Sequence, residues 1–145
     1  MWSRSENSMH PTKKEKQAIV VTVLIAILVA LAISSIGFMD NTLRFESDHL
    51  AITGPYGSTI PLEEIDSVYL IEKRPEAIRI RGYQMGYRKK GRFRNKQGEE
   101  FLMLITSRAL PWIVIRKKNG EKIYYSHSRK SSREIYSDLM QTLPY

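Results

Sequence analysis

The chain has 145 residues, with 23 Lys plus Arg against 15 Asp plus Glu, three His and no Cys, for a formal net charge of +8. The missing cysteine excludes disulfides, thiolate metal sites and cysteine nucleophiles, and it leaves the redox compartment unmarked. A strongly basic balance points to an anionic neighbour, whether lipid head groups, nucleic acid or an acidic protein surface.

Residues 1–17, MWSRSENSMHPTKKEKQ, are polar and aperiodic and carry Pro11, which predicts a disordered basic tail. Ala18 to Met39 follows, with no charge and only Thr22, Ser34 and Ser35 as polar side chains. At about 1.5 Å per residue such a helix reaches roughly 33 Å, close to the hydrocarbon thickness of a bilayer. It shows no polar face at 3.6-residue spacing, so a single transmembrane helix over 18–39 is predicted. A cleaved signal peptide is the rival, because Ala30-Leu31-Ala32 has the small-x-small form of a cleavage site. The apolar run nevertheless continues through Ile33, Ile36, Phe38 and Met39, which favours an uncleaved anchor in the cell membrane. Arg4, Lys13, Lys14 and Lys16 precede the run and only Arg44 follows it closely. The positive-inside rule therefore favours a cytoplasmic N-terminus and an extracytoplasmic domain, with the reverse left open by the basic residues further on.

The remaining residues, about 105 of them, suffice for one small domain with its own core, placed at 43–145. From Leu43 the period changes to two, the pattern of short antiparallel strands. Leu43–Glu46 and His49–Thr53 form a predicted hairpin around Ser47-Asp48, and Gly54-Pro55-Tyr56-Gly57 is a turn. Ser58–Leu62 is a short strand, and a bend at Glu63-Glu64-Ile65 leads into Asp66–Ile71. Glu72 to Gly91 reads as a long irregular stretch. Arg92–Asn95 and Glu100–Thr106 then pair around Gln97-Gly98, and a break at Arg108–Pro111 follows. Trp112–Lys117 and Glu121–Ser126 flank Asn119-Gly120, the dipeptide that supplies positive φ at both positions of a type I′ turn. A closing helix is predicted from the Ser131/Glu134 capping box and the stripe Ile135, Tyr136, Leu139, Met140 and Leu143. Too short to be stable alone, it must cover a sheet or a barrel end.

Seven or eight strands and one amphipathic helix define a mainly β chain, a small antiparallel barrel or sandwich capped by a C-terminal helix behind one transmembrane helix. From Leu43 to Leu143 the chain resembles the bacterial pleckstrin-homology-like (PH-like) domains. The likeness is carried by Leu50-Ala51-Ile52 before Gly54-Pro55-Tyr56-Gly57, and by Ile60-Pro61 before Glu64-Ile65-Asp66-Ser67-Val68. Further matches are Gly82, Gly86, Gly91 and Phe93, Ile113-Val114-Ile115 to Gly120, and the helix Glu134–Leu139. The resemblance implies a small barrel with a capping helix and no settled ligand. Eukaryotic relatives bind phosphoinositides through basic residues in the loop joining their first two strands. That loop here is Ser47-Asp48, which is acidic, so that role passes to no residue of this chain.

The segment from Lys73 to Lys96 carries Lys73, Arg74, Arg79, Arg81, Arg88, Lys89, Lys90, Arg92 and Arg94, with Lys96, against Glu76 alone. As a footpad on an anionic surface, each base is worth about 1 kcal/mol. Gly82, Tyr83, Gly86, Tyr87 and Gly91 interleave with the charge, where glycine admits a ligand close to the backbone and Tyr offers a polar tip. The alternative is a solvated loop whose glycines serve turns. A secondary basic cluster comprises Arg116, Lys117, Lys118 and Lys122 on the Asn119-Gly120 hairpin, with Arg129, Lys130 and Arg133 at the helix start. Bases at a helix N-terminus oppose its dipole, which an anion would reconcile, although positive hairpin tips also guard against aggregation.

His10, His49 and His127 have no ligand spacing, so no metal site and no cofactor are expected. Glu63, Glu64 and Asp66 are neighbours at a bend rather than carboxylates converging from different elements, and Glu99 and Glu100 sit beside a turn. No catalytic serine motif or phosphate-binding glycine loop is present. Trp112, Phe101, Tyr124 and Tyr125 read as core or barrel wall. The residues thus point to a membrane-anchored, non-catalytic binding module that presents basic loops to anionic lipid or an acidic partner. The alternative is an interaction subunit of a membrane complex that uses the barrel edge or helix groove. Nucleic acid would require the domain to lie inside the cell.

Overall fold

The computed structural model describes residues 10–143, so the tail expected before residue 10 lies outside the described residues. The chain divides into two compact units, Met1–Ser34 and Ser35–Tyr145. The first contains most of α1, Lys13–Ile36, none of whose residues is buried. Helix α1 begins five residues before the apolar run because Thr12 and Glu15 form a reciprocal cap. The N–H of Thr12 donates to Glu15 Oε2 at 2.6 Å, and the N–H of Glu15 donates to Thr12 Oγ1 at 3.3 Å. It is long and apolar enough to cross a membrane. The expected bounds of 18–39 are corrected at both ends. Residues 13–17 are helical rather than part of a tail, and Gly37, Phe38 and Met39 leave the helix in a turn.

Among its described residues the second unit has nine strands, not the seven or eight expected: β1 Thr42–Phe45, β2 His49–Thr53, β3 Ser58–Pro61, β4 Ile65–Ile71, β5 Ile78–Met85, β6 Arg88–Arg94, β7 Glu100–Ile105, β8 Trp112–Lys117 and β9 Lys122–Ser126. A 3-10 turn over Leu62–Glu64 makes the bend before β4. Strands β1-β2-β3 form one sheet, and β4-β8-β9-β7-β6-β5 form a six-stranded one. The hairpins expected around Ser47-Asp48, Gln97-Gly98 and Asn119-Gly120 are all present. Two features depart from the antiparallel barrel: β7 and β9 run parallel, and the described strands form two sheets rather than a closed barrel.

Alternation along the large sheet makes two apolar layers. One face brings Leu102, Leu104, Ile113, Ile115, Ile123 and Tyr125 against Leu50, Ile52 and Ile60 of the small sheet. The other face buries Phe93, Phe101, Met103, Ile105, Trp112, Val114 and Tyr124, with Ala77 and Leu110 of the connecting loops packed against them. Each such side chain contributes about 1.5–3 kcal/mol. Helix α2, Ser132–Thr142, lies against β4 and β8 and completes the first layer with Leu139, Leu143, Ile135 and Tyr136. Its cap is looser than a capping box, because Ser131 Oγ accepts from the N–H of Arg133 rather than that of Glu134. Met140 faces solvent.

Candidate functional site

The largest correction concerns the stretch expected to be irregular. Ile78–Met85 and Arg88–Arg94 are a hairpin with one bulge between Arg79 and Arg81, and Met85 lies opposite Arg88 across Gly86-Tyr87. Gly86 takes φ +57° at the first turn position, where a two-residue type II′ turn needs glycine. Gly82 and Gly91 face each other at φ +120° and +123°. A Cβ on Gly82 would lie 2.2 Å from the Lys90 carbonyl oxygen, and one on Gly91 2.3 Å from that of Arg81. These two glycines let the strands cross closely, so they serve the hairpin itself rather than the approach of a ligand.

The hairpin sorts the expected basic residues by environment. Arg79, Arg81 and Arg94 are exposed and have no carboxylate within 4 Å among the described residues. Arg81 lies directly across from Arg92, a like-charge pairing that costs stability. Arg92 is relieved by Glu121 and by Glu100 at 3.6 Å; Arg81 is not. Lys89 is half-buried, and burial together with nearby Arg74 lowers its pKa. Arg74 is tied elsewhere, donating to the Arg108 carbonyl at 2.7 Å and lying 5.9 Å from the Trp112 ring centre. Lys73 borders a hollow of about 430 Å³ whose rim also holds Glu76, Glu99 and Lys122. Lys96 pairs with Glu76 at 2.9 Å. The secondary cluster is largely neutralised: Arg116 pairs with Asp66 at 2.7 Å, Lys117 with Glu121 at 3.4 Å and Lys122 with Glu99 at 3.5 Å. Arg133 pairs with Glu72 at 2.7 Å. Lys118, Arg129 and Lys130 have no such partner among the described residues, and the N–H groups of Arg129 and Lys130 donate to His127 Nδ1.

Lys90 does not face solvent at all. Its side chain is buried, with Nζ donating to the Met39 carbonyl and, at 2.8 Å, to Asn41 Oδ1. Burial pulls its pKa down to about 8 against the opposing field of Asp40. Lys90 thus belongs to a socket that sequence reasoning missed and that fixes residues 37–41 to the sheet. Asn41, fully buried, donates through Nδ2 to the carbonyls of Thr53 at 2.9 Å and Pro55 at 2.8 Å. The Tyr125 hydroxyl donates to the Asn41 carbonyl, and burial raises the pKa of that phenol. Asp40 Oδ1 accepts from the Ser128 N–H at 3.0 Å and lies 2.6 Å from Thr106 Oγ1, while Oδ2 accepts from Ser128 Oγ. The one signal in the sequence was the polar pair Asp40-Asn41 closing an apolar run, but its partners lie 12 to 88 residues away.

Burial alone would raise the pKa of Asp40, but its hydrogen bonds from Ser128 and Thr106 outweigh that and hold it near 2, below the ordinary 3.8. A carboxyl with a depressed folded pKa adds stability above its unfolded value and loses it as pH falls toward the folded one. Unfolding by urea is therefore expected to become easier by about 2 kcal/mol between pH 5 and pH 2 on account of Asp40 alone. Asp66, held by Arg116, and Glu121, where burial is outweighed by Arg92 and Lys117, are also lowered and act in the same direction. Comparison with Asp40→Asn, whose profile should be flatter, isolates the part due to Asp40.

Among the described residues no group of three His, Cys, Asp or Glu could hold a metal ion. Glu64 and Asp66 are occupied by Lys117 and Arg116. The fold and these clusters define a mainly β domain of two sheets with a C-terminal helix, behind an apolar helix. Compared with known proteins, the chain matches no family model, no curated protein and no solved structure.

Proposed function

We propose that this chain is a membrane-anchored binding module of PH-like design, whose β5–β6 hairpin rests on anionic lipid head groups. The single observation that carries this reading is the set Arg79, Arg81 and Arg94, exposed and without acidic partners, in a chain that also has a membrane-length apolar helix. An unrelieved Arg81 opposite Arg92 is a cost that phosphate would offset. Support for the PH-like design comes from the two sheets and the helix laid on β4 and β8, against which stands the parallel β7–β9 pair. A binding role rather than a catalytic one is the reading these carboxylates support, since Glu64, Asp66, Glu99 and Glu121 are each engaged by a lysine or arginine. The positive-inside count favours a domain outside the cytoplasm, with the reverse left open by the basic residues further on.

A second reading is favoured by one observation. β5 is an edge strand on which Ile78 and Ile80 are half exposed, so an acidic, apolar segment of a partner protein would find both backbone pairing and charge there.

Since the protein has no cysteine of its own, Ile80→Cys labelled with a polarity-sensitive fluorophore separates these readings in the full chain reconstituted in lipid nanodiscs. Lipid binding predicts a blue shift when phosphatidylglycerol is added to phosphatidylcholine, reversed by high salt and removed by Arg79→Gln, Arg81→Gln and Arg94→Gln together. At about 1 kcal/mol per base the triple change weakens contact on the order of 100-fold. The same spectrum in neutral and anionic discs contradicts the lipid reading.

A further inference from the structure

Gly37, Phe38 and Met39 close the apolar run of the sequence, and within the domain they meet the turn of the β5–β6 hairpin. Tyr83 packs on Gly37 so closely that a Cβ there would fall 1.9 Å from the ring. Arg88 donates to the Gly37 carbonyl at 3.3 Å, and its guanidinium lies 4.5 Å from the centre of the Phe38 ring and 5.5 Å from that of Tyr87. The Tyr83 hydroxyl reaches Met85 Sδ at 3.4 Å. The cluster is therefore built, yet its outer surface is bare: Phe38 is 56% exposed, Met39 54%, Met85 46% and Tyr87 40%.

A domain that ended in water would be expected to bury these groups or dilute them with polar ones. An arginine held between two rings, with methionine and tyrosine beside it, instead has the chemistry of a membrane interface. There the rings occupy the boundary between acyl chain and head group, and the guanidinium reaches phosphate. The first two residues of the patch are also the last two of the uncharged run, so any bilayer that takes the run brings its interface to this level of the domain.

We infer that the Gly86-Tyr87 turn, with Phe38, Met39, Met85 and Arg88, is embedded in the head-group layer of the bilayer. The inference rests on the membrane reading above but not on its charge dependence. Insertion of rings and thioethers needs no anionic lipid, whereas contact by Arg79 and Arg81 does.

The test uses the full chain in nanodiscs with a fluorophore at Tyr87→Cys, at Met85→Cys as a second tip position, and at Lys118→Cys on the opposite hairpin as a control. Circular dichroism melts matching the unsubstituted chain qualify each variant. Both tip labels should be blue-shifted in phosphatidylcholine alone and lose most of their emission to a quencher carried on lipid head groups, while the label at 118 does neither. Tip labels that are aqueous in both neutral and anionic discs overturn the inference, even if the Ile80 label responds to phosphatidylglycerol. A tip label that is shielded but untouched by lipid quenchers also overturns it, because a second copy of the chain then covers the patch.

Discussion

Asn41→Ala is expected to destabilise the β domain by about 3–5 kcal/mol, among the largest single-residue effects in this chain. The side chain is fully buried and does three things at once: it donates to the carbonyls of Thr53 and Pro55 and accepts from Lys90 Nζ. Truncation takes the donor from the part-buried carbonyls of Thr53 and Pro55 and leaves the buried Lys90 amine with the Met39 carbonyl as its remaining partner. For a domain of this size the loss corresponds to a fall in Tm on the order of 15 °C, read by circular dichroism. Lys90→Met should cost less, since it removes the buried charge itself and leaves only neutral acceptors, Asn41 Oδ1 and the Met39 carbonyl, without their donor. The double variant should be less destabilised than the sum of the two, because Asn41 and Lys90 share one interaction. Additive costs would show that the contact between Asn41 and Lys90 carries no energy of its own.

Gly91→Ala is the second large effect, expected at about 3 kcal/mol or more. Two costs combine at this buried position: φ is +123°, where side-chain-bearing residues are strained, and the new Cβ meets the Arg81 carbonyl 2.3 Å away. Neither partner of that clash is a flexible side chain, so the strands of the hairpin must separate. Gly98→Ala is the comparison. There φ is +83° but nothing lies within 4 Å of a Cβ, so only the backbone strain is felt and the loss should be smaller. Equal losses at the two positions would place the whole cost in φ and none in strand approach. Proteolysis of Gly91→Ala should begin within residues 78–94, where the pairing is broken.

How much of this could be read from residues alone depends on the distance over which each interaction acts. The Asn119-Gly120 hairpin was legible because the turn chemistry lies in two adjacent residues. Trp112, Phe101, Tyr124 and Tyr125 were legible as core because bulky apolar side chains in short continuous apolar runs are buried on both faces of a sheet. The β5–β6 hairpin was not, although Gly86-Tyr87 is a permissible two-residue turn. A bulge between Arg79 and Arg81 breaks the period of two, and the density of charge hides what remains. The parallel β7–β9 pair was also out of reach. Strands β8 and β9 form a hairpin that inserts β9 beside β7, so neighbours in sequence are not neighbours in the sheet.

The basic segment illustrates the limit within a single motif. Composition marked Lys73 to Lys96 as the feature to explain, and the register divides it into residues that do different work. Lys90 turns inward to hold residues 39 and 41, Arg92 is neutralised by Glu121 and Glu100, and Arg88 is wedged between two rings. Arg79, Arg81 and Arg94 are left exposed, with no carboxylate within 4 Å among the described residues. Thr12 and Glu15 show the opposite case, a capping box within four adjacent residues that the reading of residues 1–17 as a tail passed over, although it sets the start of α1 five residues ahead of its apolar run.

Insertion of α1 in a bilayer is the premise of both proposals, the head-group contact of the hairpin and the embedded turn. Washing membranes from cells that express the full chain with alkaline carbonate strips peripheral proteins and leaves inserted ones in the pellet. The chain should remain entirely in the pellet, with residues 1–40 found intact by mass spectrometry. Recovery of the intact chain in the wash would mean that no bilayer holds it.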